Sequence, residues 1–190
     1  MSNREVRIHP TALVESDNVG DGTQIWAYAH VMAGAEVGVD CKLGDGAFVE
    51  GGARIGDRVT VKNNSLIWHG VTIGDDVFVG PNVVFTNDMS PRAHKPSDPS
   101  LWLDTVVERG ASIGANSTIV CGVTLDEDCM VGAGSVVTKD VARNALVVGN
   151  PAKQIGWVGQ CGQRLNEERS CVSCGRTYRE EQEGLVEERS

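Results

Sequence analysis

An all-β stacked solenoid is the fold class this 190-residue chain predicts, on three observations. An aliphatic residue, in one case Phe, recurs at every sixth position: Leu13, Val19, Ile25, Val31, Val37, Leu43, Val49, Ile55, Val61, Ile67, Ile73, Val79 and Phe85, then Val107, Ile113, Ile119, Leu125, Val131 and Val137. Four places after the aliphatic residue comes a small or slim one, as in Thr23, Ala29, Ala35, Cys41, Ala47 and Ala53. Glycine often stands directly after the aliphatic residue, as in Val37-Gly38, Leu43-Gly44 and Ile113-Gly114. A six-residue period fits neither a 3.6-residue helix nor a sheet of irregular hairpins, so it marks an internal repeat.

Each hexapeptide reads as one short strand and one corner. The β-branched residues favour extended backbone, while Gly, Asn and Asp tolerate the positive φ of a tight turn. Such a unit cannot bury an apolar face alone, so the units stack around a continuous core. The pattern resembles the hexapeptide-repeat acyltransferases. That resemblance implies a left-handed parallel β-helix with three hexapeptides per triangular turn, an exception to the right-handed crossover rule. One turn is then 18 residues, and residues 18 apart lie above one another at roughly the 4.8 Å strand spacing. The composition agrees, because 5% aromatic residues suit a narrow aliphatic prism.

A formal net charge of -9 argues against a general nucleic-acid binder and requires any anionic ligand to meet a local cationic patch. There is no apolar stretch of membrane length, and the Met-Ser-Asn-Arg-Glu start lacks the apolar run of a signal peptide, so a cytoplasmic protein is expected. The domain division expected is 1–150 for the β-helix and 151–190 for a C-terminal extension.

The repeat is interrupted once, over residues 86–106, which read TNDMSPRAHKPSDPSLWLDTV and add 16 residues to a normal six-residue step. Long excursions from a rigid scaffold are commonly functional. Stepping by 18, and discounting the insertion, places Gly51, His69, Asn87, Cys121 and Lys139 in one corner column, with Asp88 above Gly70. His69 and Asn87 thereby become neighbours where the loop departs. His69 is the candidate general base or polar positioning group, since imidazole titrates near neutral pH. His30, after Trp26-Ala27-Tyr28-Ala29, is either a ligand contact or the cap of an early coil, and His94 lies in the loop, either mobile or facing substrate.

The segments IHPTALV, IWAYAHV, KNNSLIWHGV, GDDVFVGPNVVFTNDMSPRA, VCGVTL, VGAGSVVTKDV and VVGNPAKQIGWVGQCG, over residues 8 to about 162, resemble the nucleotide-sugar N-acetyltransferases. These are typified by enzymes acting on UDP-2-acetamido-3-amino-2,3-dideoxyglucuronate or on dTDP-linked 3-amino-3,6-dideoxyhexoses. The resemblance implies an acetyl-CoA-dependent enzyme of glycan biosynthesis in which a sugar amine attacks the thioester. It places Asn87 at the active site, positioning the sugar or its amine, with Asp88 supporting that contact. It also implies CoA contacts at Ala133, Gly134 and Lys153, to which the corner column adds Lys139 and Cys121. Substrate contacts fall to Trp26, His30, His94 and Arg92, the last suited to a phosphate or carboxylate. A site in the groove between neighbouring prisms implies a homotrimer.

Beyond Trp157 the beat ends. Cys161-Gly162 and Cys171-Val172-Ser173-Cys174-Gly175 resemble parts of two zinc knuckles, but Val158-Gly159-Gln160 stands where a fourth cysteine belongs. Cys161, Cys171 and Cys174 are candidate ligands for zinc only with a ligand from elsewhere or an incomplete shell, the alternative being a reduced-thiol tail that packs on the prism, and REEQEGLVEERS reads as a short helix or a disordered tail. Two other classes were weighed. A γ-carbonic-anhydrase-like metalloenzyme shares the prism but needs three ligating histidines, of which only His69 is well placed. A non-catalytic trimeric scaffold explains the repeat but not the loop, the His69 and Asn87 pairing or NPAKQIGW.

Overall fold

A computed structural model describes residues 4–96, 98–182 and 184–188. Its prism consists of two- to four-residue strands running parallel in three sheets, the left-handed parallel β-helix. A typical coil step is Phe48–Val49, Leu66–Ile67 and Val84–Phe85, neighbours 18 residues apart in one sheet. From Ile25 onward the repeating aliphatic residues point inward, and Val31, Leu43, Ile67, Phe85, Ile113 and Leu125 are fully buried. Burying each such side chain stabilises by about 1.5–3 kcal/mol, so the beat is the main source of folding energy.

The slim residue is buried in every full coil, because it sits where the prism is narrowest. In three of the polar slots the hydroxyl donates to a glycine carbonyl 15 residues on: Thr23 to Gly38 at 2.8 Å, Ser65 to Gly80 at 2.7 Å and Ser117 to Gly132 at 3.2 Å, while Ser135 donates back to Gly132 at 2.6 Å. Cys41 Sγ makes the equivalent contact to Gly56 at 3.1 Å. A buried hydroxyl needs such a partner. Every sixth residue from Gly22 to Asn82 has positive φ, including Tyr28, Asp40, Arg58 and Asn64. The resulting corners form three columns: Gly22, Asp40, Arg58, Asp76; Tyr28, Gly46, Asn64, Asn82; and Gly34, Gly52, Gly70.

Three expectations change. The first coil pairs Leu13 with His30 and Val14 with Val31, a step of 17, so Val14 takes the inward slot and Leu13 is 53% exposed. The interruption closes earlier than residue 106: Thr105–Val107 is a strand, paired Val71 to Thr105 and Ile73 to Val107. Those partners are 34 apart where other coils keep 18, which confirms the 16 added residues. Thr105 fills the slim slot missed in the sequence, fully buried with no partner for its hydroxyl.

The coils also continue past Val137. Ala145–Val148 adds to the first sheet with Val147 beside Val131, a step shortened to 16. Lys153–Trp157 then folds back antiparallel along that edge after the cis Asn150–Pro151 peptide. The tail contains neither a helix nor a featureless end among its described residues. Tyr178–Glu181 and Gly184–Glu187 pair as an antiparallel hairpin, docked where Leu185 N–H donates to the Arg143 carbonyl at 3.2 Å. Leu185, Tyr178, Leu165 and Cys171 form a small separate core against Trp157. Among the described residues no helix is long and apolar enough to cross a membrane.

Candidate active site at the split corner

The third column of corners is where the chain departs. Its members are Gly34, Gly52 and Gly70 below and Gly122 above. By the outgoing strand, Asn87 stands one coil after His69; by the returning strand, Leu103 does. The two strands meet there, with Leu103 N–H donating to the Asn87 carbonyl at 3.0 Å. The expectation that Asp88 covers Gly70 is therefore corrected. Asp104 does so, its Oδ1 lying 2.6 Å from where a Gly70 Cβ would stand, and its carbonyl accepts from Gly122 N–H at 3.1 Å. The excursion had to leave before Asp88 could turn the corner, so the first residue after the loop turns it instead.

His69 is held from three sides. Its backbone N–H donates to Glu50 Oε2 at 2.8 Å, and its Nδ1 lies 2.9 Å from the Gly51 carbonyl. A carbonyl only accepts, so Nδ1 carries the proton and Nε2 keeps its lone pair in the neutral ring. The ring meets Trp102 from the loop edge-on, centroids 5.8 Å apart at 63°. A Cβ on Gly52 would collide with the imidazole, so that corner needs glycine for space as well as for its φ of 87°. Since the ring is exposed, its Nε2 face is accessible to a ligand.

Asn87 is half-buried and stands one coil on from His69 by strand register. Asp88 Oδ1 accepts from Ser90 N–H at 2.7 Å, a turn that starts the loop. The loop encloses a cleft of about 610 Å³ lined by Asp88, Arg92, Lys95, Asp98 and Leu101 among others. Arg92 and Lys95 put positive charge there, and His94 stands exposed in the same loop. Cys121 is buried over Thr86, whose Oγ1 accepts from Cys121 N–H at 2.9 Å, and Lys139 is exposed one coil further. Burial pushes the Cys129 thiol up to about 12 and raises Cys41 as well, so these core thiols are no nucleophiles.

The remaining candidates lie elsewhere. Ala133 and Gly134 continue the second column, exposed, with nothing within 4 Å of a Cβ placed on Gly134. Lys153 joins them, because it pairs with Val148 next to an Ala152 N–H that donates to Val136 at 2.8 Å. Trp26 and Tyr28, 50% and 74% exposed, belong to this column several coils earlier. His30 faces outward from the sheet between the second and third columns, with Nε2 2.9 Å from Glu15 Oε2 and its ring edge-on to Phe48. By strand register His69 and Asn87 fall on one edge of the prism, a different edge from Ala133, Gly134 and Lys153. The tail occupies the third edge, where Arg143 and Asn144 continue the first column.

Sequence reasoning missed Glu50, Trp102 and Asp104. Asp104 was available by counting back 18 from Gly122; Trp102 and Glu50 carry no periodic signal.

With this geometry in hand, the comparisons are specific. The family described as bacterial transferase hexapeptide (six repeats) matches residues 52–87 and 104–139, and the hexapeptide repeat of succinyl-transferase matches residues 34–69. The residues between the first two spans, 88–103, are the 16 of the excursion. The dTDP-3-amino-3,6-dideoxy-alpha-D-galactopyranose 3-N-acetyltransferase of Aneurinibacillus thermoaerophilus is 46% identical over 174 residues, covering 90% of each chain. The chain belongs to the hexapeptide-repeat nucleotide-sugar N-acetyltransferases. Solved structures with the same fold include a variant of the N-acyltransferase AntD from Bacillus cereus, in complex with dTDP and coenzyme A, with a TM-score of 0.60, 18% identity and 82% coverage of each chain. Another is PerB from Caulobacter crescentus, in complex with CoA and GDP-perosamine, with a TM-score of 0.53 and 23% identity. That match covers 81% of this chain, which spans 58% of the other. The β-helix fold is thus shared.

Proposed function

We propose that the protein transfers the acetyl group of acetyl-CoA to the 3-amino group of a nucleotide-linked amino sugar, most suitably a dTDP-linked 3-amino-3,6-dideoxyhexose. The observation that carries the chemistry is His69: Nδ1–H is committed to a carbonyl, leaving Nε2 as an acceptor on an exposed ring at the corner where the loop departs. The relative that covers nine-tenths of the chain is named for a dTDP-3-amino-3,6-dideoxygalactose, which favours that acceptor over UDP-2-acetamido-3-amino-2,3-dideoxyglucuronate.

In this reading Asn87 orients the sugar and Arg92 meets a phosphate of the nucleotide, with His94 beside it. The neutral amine attacks the thioester carbonyl carbon, and a C–N bond forms as the C–S bond breaks. The nitrogen's proton passes to His69 Nε2 and the sulfur leaves as the CoA thiol after protonation. Holding amine and thioester at near-attack distance supplies much of the acceleration. CoA runs along the edge of Ala133, Gly134 and Lys153, with Lys139 at the far side of the groove; Cys121 is buried and does not reach it, and Trp26 and His30 are left to the sugar substrate. Because Ala133, Gly134 and Lys153 lie on a different edge of one prism from His69, the site is completed by a neighbouring copy in a homotrimer. The outward Trp26 and Tyr28 fit a covered groove.

Release of free CoA thiol is to be followed with acetyl-CoA and a panel of dTDP- and UDP-linked 3-amino and 4-amino sugars. Turnover fastest with a dTDP-3-amino-3,6-dideoxyhexose supports the assignment. Turnover restricted to the UDP-linked glucuronate corrects the acceptor, and none with any amino sugar overturns the reading.

A further inference from the structure

The tail bears a feature that acetyl transfer does not use. Cys161, Cys171 and Cys174 bring their sulfurs within 4.8 Å of one another, with Cys161 Sγ 3.4 Å from Cys171 Sγ and 3.5 Å from Cys174 Sγ. At a zinc–sulfur bond of about 2.3 Å, a tetrahedral ion holds its sulfurs about 3.8 Å apart, so the three thiols already stand at ligand spacing. A disulfide needs sulfurs about 2.05 Å apart and pairs only two of the three. All three are free thiols.

The turns that present them are alike. Gly162 and Gly175, each directly after a cysteine, have φ of 79° and 74°, which lets the chain double back and turn the sulfur inward. Matching Val158-Gly159-Gln160-Cys161-Gly162 to Cys171-Val172-Ser173-Cys174-Gly175 puts Val158 opposite Cys171. Val158 is buried and bonded through its backbone to Asn144, in both directions, at 2.8 and 3.0 Å. By this match the chain has valine at the position of a fourth cysteine. Cys161 and Cys174 are exposed, so the side of the cluster they form is open to water.

The tail also lacks the means to hold itself. Its own core among the described residues is Leu165, Cys171, Tyr178 and Leu185. A segment of this size normally requires a metal, a disulfide or a partner surface to stay folded.

We propose that Cys161, Cys171 and Cys174 bind one zinc ion through three thiolates, with the fourth position taken by solvent, and that this ion fixes the tail hairpin against the edge of the prism at Arg143 and Asn144. Zinc binding displaces thiol protons.

The test uses the full chain purified without chelator. Elemental analysis is expected to find one zinc per chain, and titration of the reduced, zinc-free protein with Co²⁺ alone is expected to give a thiolate-to-cobalt charge-transfer band. Cys161→Ser and Cys174→Ser change exposed residues and leave no core vacancy; each should weaken zinc binding by about a hundredfold or more. Val158→Cys should tighten it. Chelation should speed proteolysis beyond residue 158 while the prism stays intact. Absence of zinc together with absence of the cobalt band overturns the proposal, as does a native mass short by one disulfide. Unchanged affinity in both serine variants also overturns it, and unchanged affinity in Val158→Cys overturns the open fourth position. None of these readings depends on sugar acetylation, so a failed acceptor assay leaves the outcome distinct.

Discussion

At the scale of single residues, the corner at Gly52 and His69 shows how a backbone requirement becomes chemistry. The positive φ of Gly52 makes room for an imidazole whose Nδ1–H is tied to Gly51. Gly52→Ala strains φ and pushes the ring out, so kcat/KM should fall at least about tenfold while the change costs about 1 kcal/mol or more in a denaturation curve. Asn87→Ala should lower kcat/KM with little change in Tm, since its side chain is outside the core; unchanged kcat/KM would place the sugar elsewhere. His69 and Asn87 were legible because both lie on a strict step of 18. Asp104 was less so, because counting forward from Phe85 leads to Asp88, and only counting back from Gly122 reveals which residue closes the corner. Trp102 and Glu50 act through tertiary proximity that no period encodes.

At the scale of elements, the strand rule makes the loop separable from the prism. Excising residues 88–103 joins Asn87 to Asp104 and restores the step of six between Phe85 and Val107. The excised protein should fold with Tm within about 5 °C of the parent, since long loops contribute little to stability, and lose at least about a hundredfold in kcat/KM with the loss of Trp102 and Arg92. Collapse of the fold would show that the excursion holds the coils together. Thr105 offers a second test in the same strand: its buried, unpartnered hydroxyl should make Thr105→Val stabilising by about 1 kcal/mol in a denaturant titration. The slim slots were readable from the repeat, yet Thr105 was assigned to the loop because the strand that carries it begins before the next aliphatic residue. The tail hairpin was unreadable for another reason. Tyr178–Glu181 is charged along most of its length, and only docking of Leu185 on Arg143 makes it a strand.

At the scale of the whole molecule, function is divided among three edges: the split corner on one, the proposed coenzyme edge on another, the cysteine tail on the third. The division predicts a trimer by light scattering, and a fully active monomer would contradict it. The edge carrying the tail also bears ion pairs that follow the stacking. Arg58 Nε lies 2.7 Å from Asp76 Oδ1, and this hydrogen bond holds the Asp76 carboxyl below the usual carboxylate range. A depressed carboxyl adds stability above its unfolded value and loses it as pH falls through the folded one. Asp76→Asn should therefore lower Tm at neutral pH, with the difference from the parent shrinking in acid; a constant difference across pH would assign the effect to packing.

In the proposed transfer the decisive step is His69 accepting the amine's proton at the loop corner. The direct measurement is kcat/KM of His69→Asn against the parent, with acetyl-CoA and a dTDP-linked 3-amino-3,6-dideoxyhexose, alongside the KM for acetyl-CoA. A loss of about 10²–10⁴ with the coenzyme KM unchanged is predicted. Retention of most of kcat/KM across pH would contradict it and assign the proton to solvent or to the substrate itself.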